Sequence, residues 1–218
     1  MKFFAVNGSP RRKNNTVALL KECLKGVVSV APDAQTQLIN LYELDYSGCR
    51  SCFACKKLGG RSYGRCAVKD DLREVLCALA HTDGIIFGSP IYFADITGAM
   101  RSFLERLLFQ YYVYDKSRTS LAPKKMPTAF LYTMGATKEA MLERKYPERL
   151  SDMESFIEKV FSKPAPLYCC NTYQFDDYAK YKADLFSEPA KAKHKAQQFP
   201  KDLKKAFAIG AAMAKAAG

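Results

Sequence analysis

Five short apolar segments alternate with segments of helical periodicity along this chain, and the alternation restricts the fold more than any other feature. Val17, Leu20 and Leu24, for example, recur at helical spacing after the first apolar run. Strands that alternate with helices form a parallel sheet with helices on both faces. We therefore predict an α/β fold with strands at residues 2–6, 36–41, 84–87, 128–133 and 167–171, and helices around residues 17–27, 72–79, 99–108, 151–161 and 203–217.

The first and third predicted strands are both followed by the tripeptide Gly-Ser-Pro, at residues 8–10 and 88–90. Right-handed crossovers place the carboxyl ends of all parallel strands at one edge of the sheet. Ligands of open α/β sheets bind at this edge, near the point where the strand order reverses. We therefore expect the two turns to lie close together and to contribute to one binding site.

Residues 8–16, GSPRRKNNT, have the composition of an anion-binding loop. Backbone N–H groups at a helix start attract anions, and arginine adds charge-assisted hydrogen bonds to phosphate. The loop lacks both the G-x-x-x-x-G-K-[ST] and the G-x-G-x-x-G spacing, so neither a P-loop nor a Rossmann dinucleotide site is indicated. From composition alone, a polar turn capped by Asn or Thr explains the segment equally well.

Four of the eight cysteines lie in one segment, CRSCFACKKLGGRSYGRC, as Cys49, Cys52, Cys55 and Cys66. The first three are spaced as in ferredoxin-type clusters, whereas zinc sites more often use two separated pairs. A ten-residue gap precedes Cys66, which leaves an iron–sulfur cluster and a loop of free thiols both open. Disulfides are disfavoured because the N-terminal residues do not form a secretory signal, and we expect a cytoplasmic protein.

The formal net charge of +12 raises the question of nucleic-acid or membrane binding. The basic residues are spread out, and their densest run, near the C-terminus, fits a solvated helix face. No apolar run approaches the ~20 residues that a membrane-spanning helix needs. We therefore expect neither a nucleic-acid partner nor a membrane.

Three motifs resemble one known family. They are residues 8–16, the cysteine segment leading into Asp70 and Asp71, and DGIIFGSPIYFADITGAMRSFLER at residues 83–106. Together they resemble the NADPH-dependent FMN reductase family, in the branch that contains the iron–sulfur flavoproteins. The resemblance covers residues 1–108, and beyond them only TMGA at residues 133–136 is similar. It implies a flavodoxin-like, doubly wound sheet of five parallel strands in the order 2-1-3-4-5, with FMN bound non-covalently at the carboxyl edge. We expect one domain, residues 1–218, with an inserted loop at 110–126 and a C-terminal helical extension at 173–218.

The resemblance also implies the residues that bind the cofactor. The FMN phosphate is expected at Ser9, Arg11, Asn15 and Thr16; the isoalloxazine ring at Pro90, Ile91, Tyr92 and Phe93; and a third wall at Thr133, Met134 and Gly135. From the residues alone, positions 91–93 fit core packing as well. No catalytic side chain is assigned, because the chemistry of such enzymes takes place at N5 of FMN.

The resemblance implies an FMN-dependent NAD(P)H oxidoreductase that passes electrons to a quinone, a flavin, a nitro or azo compound, or a redox protein. The alternative is an iron–sulfur flavoprotein with a [4Fe-4S] cluster on the four cysteines and a ferredoxin-like partner. A third interpretation is a non-catalytic module that binds zinc and nucleic acid. We expect the thiols to converge near the flavin edge whether or not they hold iron.

We also expect a homo-oligomer, a dimer or a tetramer. Tyrosines are enriched at subunit interfaces, and residues 111–114 have the sequence YYVY. The competing interpretation of this segment is a lid over the flavin within one chain.

Overall fold

The computed structural model describes residues 1–117 and 119–218. Residue 118, which belongs to the predicted insertion 110–126, lies outside the described residues. The described strands are β1 (Lys2–Asn7), β2 (Gln35–Asn40), β3 (Gly84–Tyr92), β4 (Asp95–Ile96), β5 (Thr128–Thr133) and β6 (Ala165–Cys169). The described helices are α1 (Asn15–Val30), α2 (Leu72–Leu79), α3 (Gly98–Phe109), α4 (Lys138–Glu143), α5 (Tyr146–Val160), α6 (Glu188–Gln197) and α7 (Phe199–Ala217).

Five of the strands form a parallel sheet in the order β2-β1-β3-β5-β6. The two-residue β4 forms an antiparallel hairpin with the end of β3. Without β4, the order of the long strands is the predicted 2-1-3-4-5, so the flavodoxin-like topology is confirmed. In register, Asn7 pairs with Gly88 and Pro90 pairs with Thr133, which brings three strand ends to the same edge.

Side chains alternate between the two faces of the sheet, and both faces are buried. Phe4 and Val6 of β1 join a core that contains residues of α2, α3 and α5. Phe3 and Ala5 join a second core, with residues of α1 and α7. Successive side chains of a strand point to opposite faces, so a strand whose side chains are all apolar suits a parallel sheet that is covered on both faces.

Helix α7 packs very closely on α1, at one glycine from each helix. A Cβ atom at Gly210 would lie 1.8 Å from the carbonyl oxygen of Cys23, and one at Gly26 would lie 1.9 Å from that of Phe207. The end of the predicted extension thus contributes a layer of the sheet's cover. Cys23 is fully buried at this contact, and burial raises its pKa to about 12.

The structure differs from the prediction at several elements in the second half of the chain. Helix α5 begins at Tyr146 rather than at residue 151, with Pro147 in its first turn. Helix α4 was not predicted, and α6 lies in the predicted helical extension 173–218 without having been predicted as a separate helix. It is mostly polar and buries little besides Lys191, so it has no apolar stripe to detect. Tyr111, placed near a subunit contact by the sequence analysis, is buried within its own chain against Phe161. None of the described helices combines the length and apolar character needed to cross a membrane.

Candidate functional site

The two Gly-Ser-Pro segments lie side by side at the carboxyl edge, as the sequence predicts, although the second is not a turn but part of β3. The N–H of Gly8 donates to the carbonyl of Gly88 over 2.8 Å. Thr97, the N-cap of α3, donates its hydroxyl to the Gly8 carbonyl (2.7 Å) and its N–H to Ser89 Oγ (3.1 Å). Gly8 is required here, because a Cβ would lie 2.8 Å from Cβ of Met100. Thr97 therefore holds both segments in place, one through its hydroxyl and the other through its backbone N–H.

The loop after β1 is ordered by its own side chains. Asn7 bonds the backbone of Ser9 twice, accepting from its N–H (3.0 Å) and donating to its carbonyl (3.1 Å). Ser9 Oγ accepts from the N–H of Arg11 (3.2 Å), and Asn14 caps α1 by accepting from the N–H of Asn15 (2.8 Å). The N–H groups in the first turn of α1 have no partner within the helix, which makes this end of α1 an anion site.

A cleft of about 460 Å³, open on one side, lies between this loop and the ends of β3 and β5. We call it the edge cleft. Its lining includes ten of the predicted cofactor residues: Ser9, Arg11, Asn15, Thr16, Pro90, Ile91, Tyr92, Thr133, Met134 and Gly135. The hydroxyls of Thr16 and Thr133 are hydrogen-bonded over 2.8 Å, which joins the loop to the predicted third wall.

Phe93 is the predicted cofactor residue that does not line the edge cleft. It lies at the tip of the β3–β4 hairpin and is fully exposed. Phe93 and its neighbour Ala94 both have positive φ, 51° and 68°, a geometry that non-glycine residues adopt only at some cost. Tyr92, 45 % exposed, forms the rim of the cleft.

Three further residues line the cleft that the sequence motifs do not indicate: Asn14, Thr172 and Gln174. Thr172 and Gln174 follow β6, and the rule that strand ends share one edge would have found them. This segment contacts the loop after β1: Arg11 donates to the Gln174 carbonyl (2.5 Å) and Asn15 to the Tyr173 carbonyl (2.9 Å). Oε1 of Gln174 is buried without a hydrogen-bond partner among the described residues.

The four clustered cysteines line a second cavity, the cysteine cavity, together with Arg106, Phe109 and Gln110 of α3 and its end. Positive φ angles at Ser51 (50°) and Phe53 (55°) bend the chain on either side of Cys52. Gln110 accepts from the N–H of Cys66 over 2.9 Å, whereas its Nε2 is buried with no partner in the part of the chain that the structure describes. The cavity therefore has an unused hydrogen-bond donor in its wall.

Arg106 fastens the cysteine segment to α3. It is almost fully buried and pairs with both carboxylate oxygens of Asp70 (2.8 and 3.0 Å). It also donates to Cys66 Sγ (3.1 Å) and to the carbonyl of Ser47 (3.0 Å). The hydrogen bonds from Arg106 hold the pKa of Asp70 below its ordinary value.

The two cavities are separate within one chain and share no lining residue. The edge cleft lies beside Thr97 at the start of α3, and about 14 Å of helix separates Thr97 from Arg106. The four thiols thus line one cavity, but along the second half of α3 rather than beside the edge cleft of the same chain. Within residues 1–117 and 119–218, no three His, Cys, Asp or Glu side chains are arranged so that they could hold one metal ion.

Comparisons with known proteins agree with these features. The sequence model of the NADPH-dependent FMN reductase family matches residues 1–145. An iron–sulfur flavoprotein of Methanocaldococcus jannaschii is 32 % identical over 106 residues, which cover 49 % of this chain and 51 % of that protein. An iron–sulfur flavoprotein of Archaeoglobus fulgidus is 35 % identical over 106 residues, 49 % of this chain and 48 % of that one. The chain thus spans about half the length of the curated relatives it matches.

Solved structures share the fold over nearly the whole chain. An NAD(P)H:quinone oxidoreductase from Methanothermobacter marburgensis superimposes with a TM-score of 0.67 at 14 % identity, covering 97 % of this chain and 96 % of that one. An FMN-dependent NADH-azoreductase from Bacillus anthracis, solved in complex with FMN, has a TM-score of 0.63 at 10 % identity and full coverage of both chains. At these identities the likeness shows the fold alone.

Proposed function

The chain belongs to the NADPH-dependent FMN reductase family, and from this premise we propose that it is an FMN-dependent oxidoreductase that takes electrons from NADH or NADPH. The observation that carries the proposal is the edge cleft, in which an anion-binding loop meets the side chains of residues 90–92 at the carboxyl edge of the sheet. The family assignment favours an oxidoreductase over the non-catalytic zinc module considered above.

The residues of the edge cleft fit FMN at both ends of the molecule. Arg11 and the first turn of α1 offer a cation and free N–H groups to a phosphate. The buried, unpartnered Oε1 of Gln174 requires a donor, which a ribityl hydroxyl would provide. Ile91, Tyr92 and Met134 supply apolar walls for a planar ring.

When bound, FMN would supply the hydride and electron chemistry, and the chain's own residues would bind and orient it. Ser9, Thr16 and Thr133 are buried at the inner part of the cleft, and their hydroxyls would hydrogen-bond the phosphate end of FMN there in place of water. Tyr92 lies at the rim, and the cleft is open beside it. A nicotinamide and then an acceptor would bind at this opening in succession. We propose a quinone, a flavin, a nitro or azo compound, or a redox protein as the acceptor.

The test is a steady-state assay of the FMN-loaded protein with NADH and NADPH against each acceptor class. We expect FMN to stay bound through gel filtration and oxidation of the nicotinamide to depend on both FMN and an acceptor. A purified protein that binds no FMN, or that binds FMN without oxidising either nicotinamide, would refute the proposal.

A second candidate is an iron–sulfur flavoprotein that trades electrons with a ferredoxin-like partner. Cys49, Cys52, Cys55 and Cys66 line one cavity, which favours it, as do the names of the curated relatives, although no three of the described thiols are placed to hold one metal ion. The unpartnered Nε2 of Gln110 fits this group, because it would be satisfied by a thiolate or by an inorganic sulfide of a cluster. The cysteine cavity would then hold the cluster and the edge cleft the FMN, as two redox centres of one chain.

Anaerobic purification with iron and sulfide analysis separates the two candidates. A cluster predicts about four irons per chain, a broad brown absorbance, and loss of both in Cys52→Ala but not in Cys77→Ala. Cys77 is the matched control, since it is an exposed thiol on α2 outside the cavity. Flavin absorbance with no iron under these conditions would favour the first candidate, an FMN enzyme whose cysteine loop carries reduced thiols.

We retain the proposal of a cytoplasmic homo-oligomer, with Tyr112 and Tyr114 in place of Tyr111 at or near the subunit contact. Tyr114 is 68 % exposed and lines, with Tyr112 and Phe156, an apolar groove between α3 and α5. Light scattering at working concentration is expected to give the mass of a dimer or a tetramer. A monomeric mass would contradict the proposal.

A further inference from the structure

Lys191 of α6 is a buried lysine, 1 % exposed, that has only oxygen atoms of neutral groups as hydrogen-bond partners. Its Nζ donates to the carbonyls of Gly135 (2.9 Å) and Thr172 (3.2 Å) and to Oδ1 of Asn171 (3.1 Å). Within the part of the chain that the structure describes, no carboxylate lies at ion-pair distance from it. Since lysine is almost never fully buried unless paired, this arrangement calls for a reason.

The partners of Lys191 belong to the edge cleft. Gly135 and Thr172 line it directly, and Asn171 precedes Thr172 with a φ of 47°. We call residues 171–174 the strap. A trans peptide holds its C=O and N–H on opposite sides, so bonding to Lys191 also turns the N–H groups of Ala136 and Tyr173 away from it. Lys191 thus contributes to the orientation of two peptides in the wall, together with the backbone hydrogen bonds from Asn171 to Ala136 and from Thr172 to Met134.

The strap in turn contacts the loop that would bind phosphate. The Tyr173 carbonyl accepts from Asn15, and the Gln174 carbonyl accepts from Arg11. Contacts thus run without a break from Lys191 through the strap to two residues of the loop. The strap and α6 lie outside residues 1–145, the part that the family model matches.

Burial of Lys191 is unfavourable by itself. Desolvation lowers the pKa of its ammonium, and a well-packed apolar side chain would often be at least as stable in such a place. The ring of Phe186, 4.4 Å from Nζ, and the three oxygen acceptors offset this penalty. All three acceptors lie in the cleft wall or in the strap, which points to a role in the cleft rather than in the core.

We propose that Lys191 is a positioning residue: it holds the strap against the loop after β1 and so sets Arg11 and Asn15 for the phosphate of FMN. The inference rests on the proposed function, because it takes FMN to be the ligand. It adds a fourth, C-terminal wall to a cleft that the sequence motifs describe with three.

Binding of FMN and of riboflavin, which lacks the phosphate, tests this role in Lys191→Gln. The matched control is Lys193→Gln, which removes the same charge from an exposed position of the same helix. Titration of flavin fluorescence should show at least a tenfold loss of FMN affinity in Lys191→Gln, about the effect of one charge-assisted hydrogen bond. Riboflavin keeps the ribityl contact proposed for Gln174 of the strap, so it should also lose affinity, but at least about threefold less than FMN does, and Lys193→Gln should bind both ligands as the wild type does.

Equal losses for FMN and riboflavin would mean a merely structural role and would overturn the proposal, as would an unchanged FMN affinity. A wild-type chain that binds no FMN would overturn the proposed function as well, so the two failures are distinguishable. Circular dichroism checks the fold of each variant. If Lys191→Gln does not fold, Phe186→Ala takes its place in the test. That substitution removes the ring that contacts the Lys191 ammonium, at a position that is itself partly exposed. It should weaken FMN binding about two- to fivefold and riboflavin binding less; an unchanged FMN affinity, or equal losses for both flavins, refutes the role.

Discussion

Replacing both Arg11 and Thr16 with alanine should weaken FMN binding by about 10² to 10⁴-fold. Each residue would lose a hydrogen bond to a charged phosphate, of about 1.5–3 kcal/mol, and together the losses reach about 3–6 kcal/mol. Arg11 lies at the mouth of the loop and is already held by the Gln174 carbonyl, while Thr16 lies in the first turn of α1. Equilibrium dialysis of the flavin-free protein against FMN measures the change.

Arg12→Ala is the matched control for that variant. Arg12 is next to Arg11 in sequence, but its guanidinium pairs with Glu43 over 2.9 Å and does not line the edge cleft. Its removal should change FMN affinity less than about threefold, since an exposed charge acts only through a screened field. A double Arg11 and Thr16 variant that retains FMN at wild-type affinity would show that the phosphate is bound elsewhere.

Strands and helices were predictable where the local signals agree with one another. The strand predicted at 128–133 is β5 with the same bounds, since its apolar run is long enough to be buried on both faces. The third strand, in contrast, continues to Tyr92, past the Gly-Ser-Pro turn that was expected to end it. Residues 88–90 continue the ladder with β5, and pairing with β4 through an unusual turn at Phe93 and Ala94 adds Ile91 and Tyr92. No local sequence pattern announces such a turn.

Site residues were predictable where a motif lies next to a strand end. The loop after β1 and residues 90–92 at the end of β3 have such motifs, and the structure brings both to the edge cleft. Lys191 could not have been found this way, because it lies on a polar helix and its partners are backbone carbonyls and one amide. A role that depends on carbonyl groups leaves no residue pattern in the sequence.

Gly210→Ala should destabilise the protein, although glycine-to-alanine changes inside helices normally stabilise by about 0.5–1 kcal/mol. The new Cβ would lie 1.8 Å from the carbonyl oxygen of Cys23, an atom of the backbone of α1 that no side-chain rotation can move. Helix α7 must therefore shift away from α1. Overpacking of this kind costs about 1–3 kcal/mol or more, and in a chain of this size each kcal/mol lowers Tm by about 2–4 °C.

Gly98→Ala is the control, because Gly98 begins α3 and a Cβ there would meet nothing within 4 Å. Thermal unfolding followed by circular dichroism should show Gly98→Ala at or slightly above the wild-type Tm and Gly210→Ala several degrees below it. A Gly210→Ala variant as stable as Gly98→Ala would contradict the close contact between α1 and α7.

The double variant Gly26→Ala/Gly210→Ala tests whether the two close contacts are one physical feature. Each new Cβ would press on the backbone of the opposite helix, at 1.9 Å for Gly26 and 1.8 Å for Gly210. A single separation of the helices would relieve both, so the second substitution should cost less than the first. We expect the double variant to lose clearly less stability than the sum of the two single losses, a coupling of about 0.5–3 kcal/mol for residues in contact. Fully additive losses would mean that α1 and α7 yield independently at each glycine.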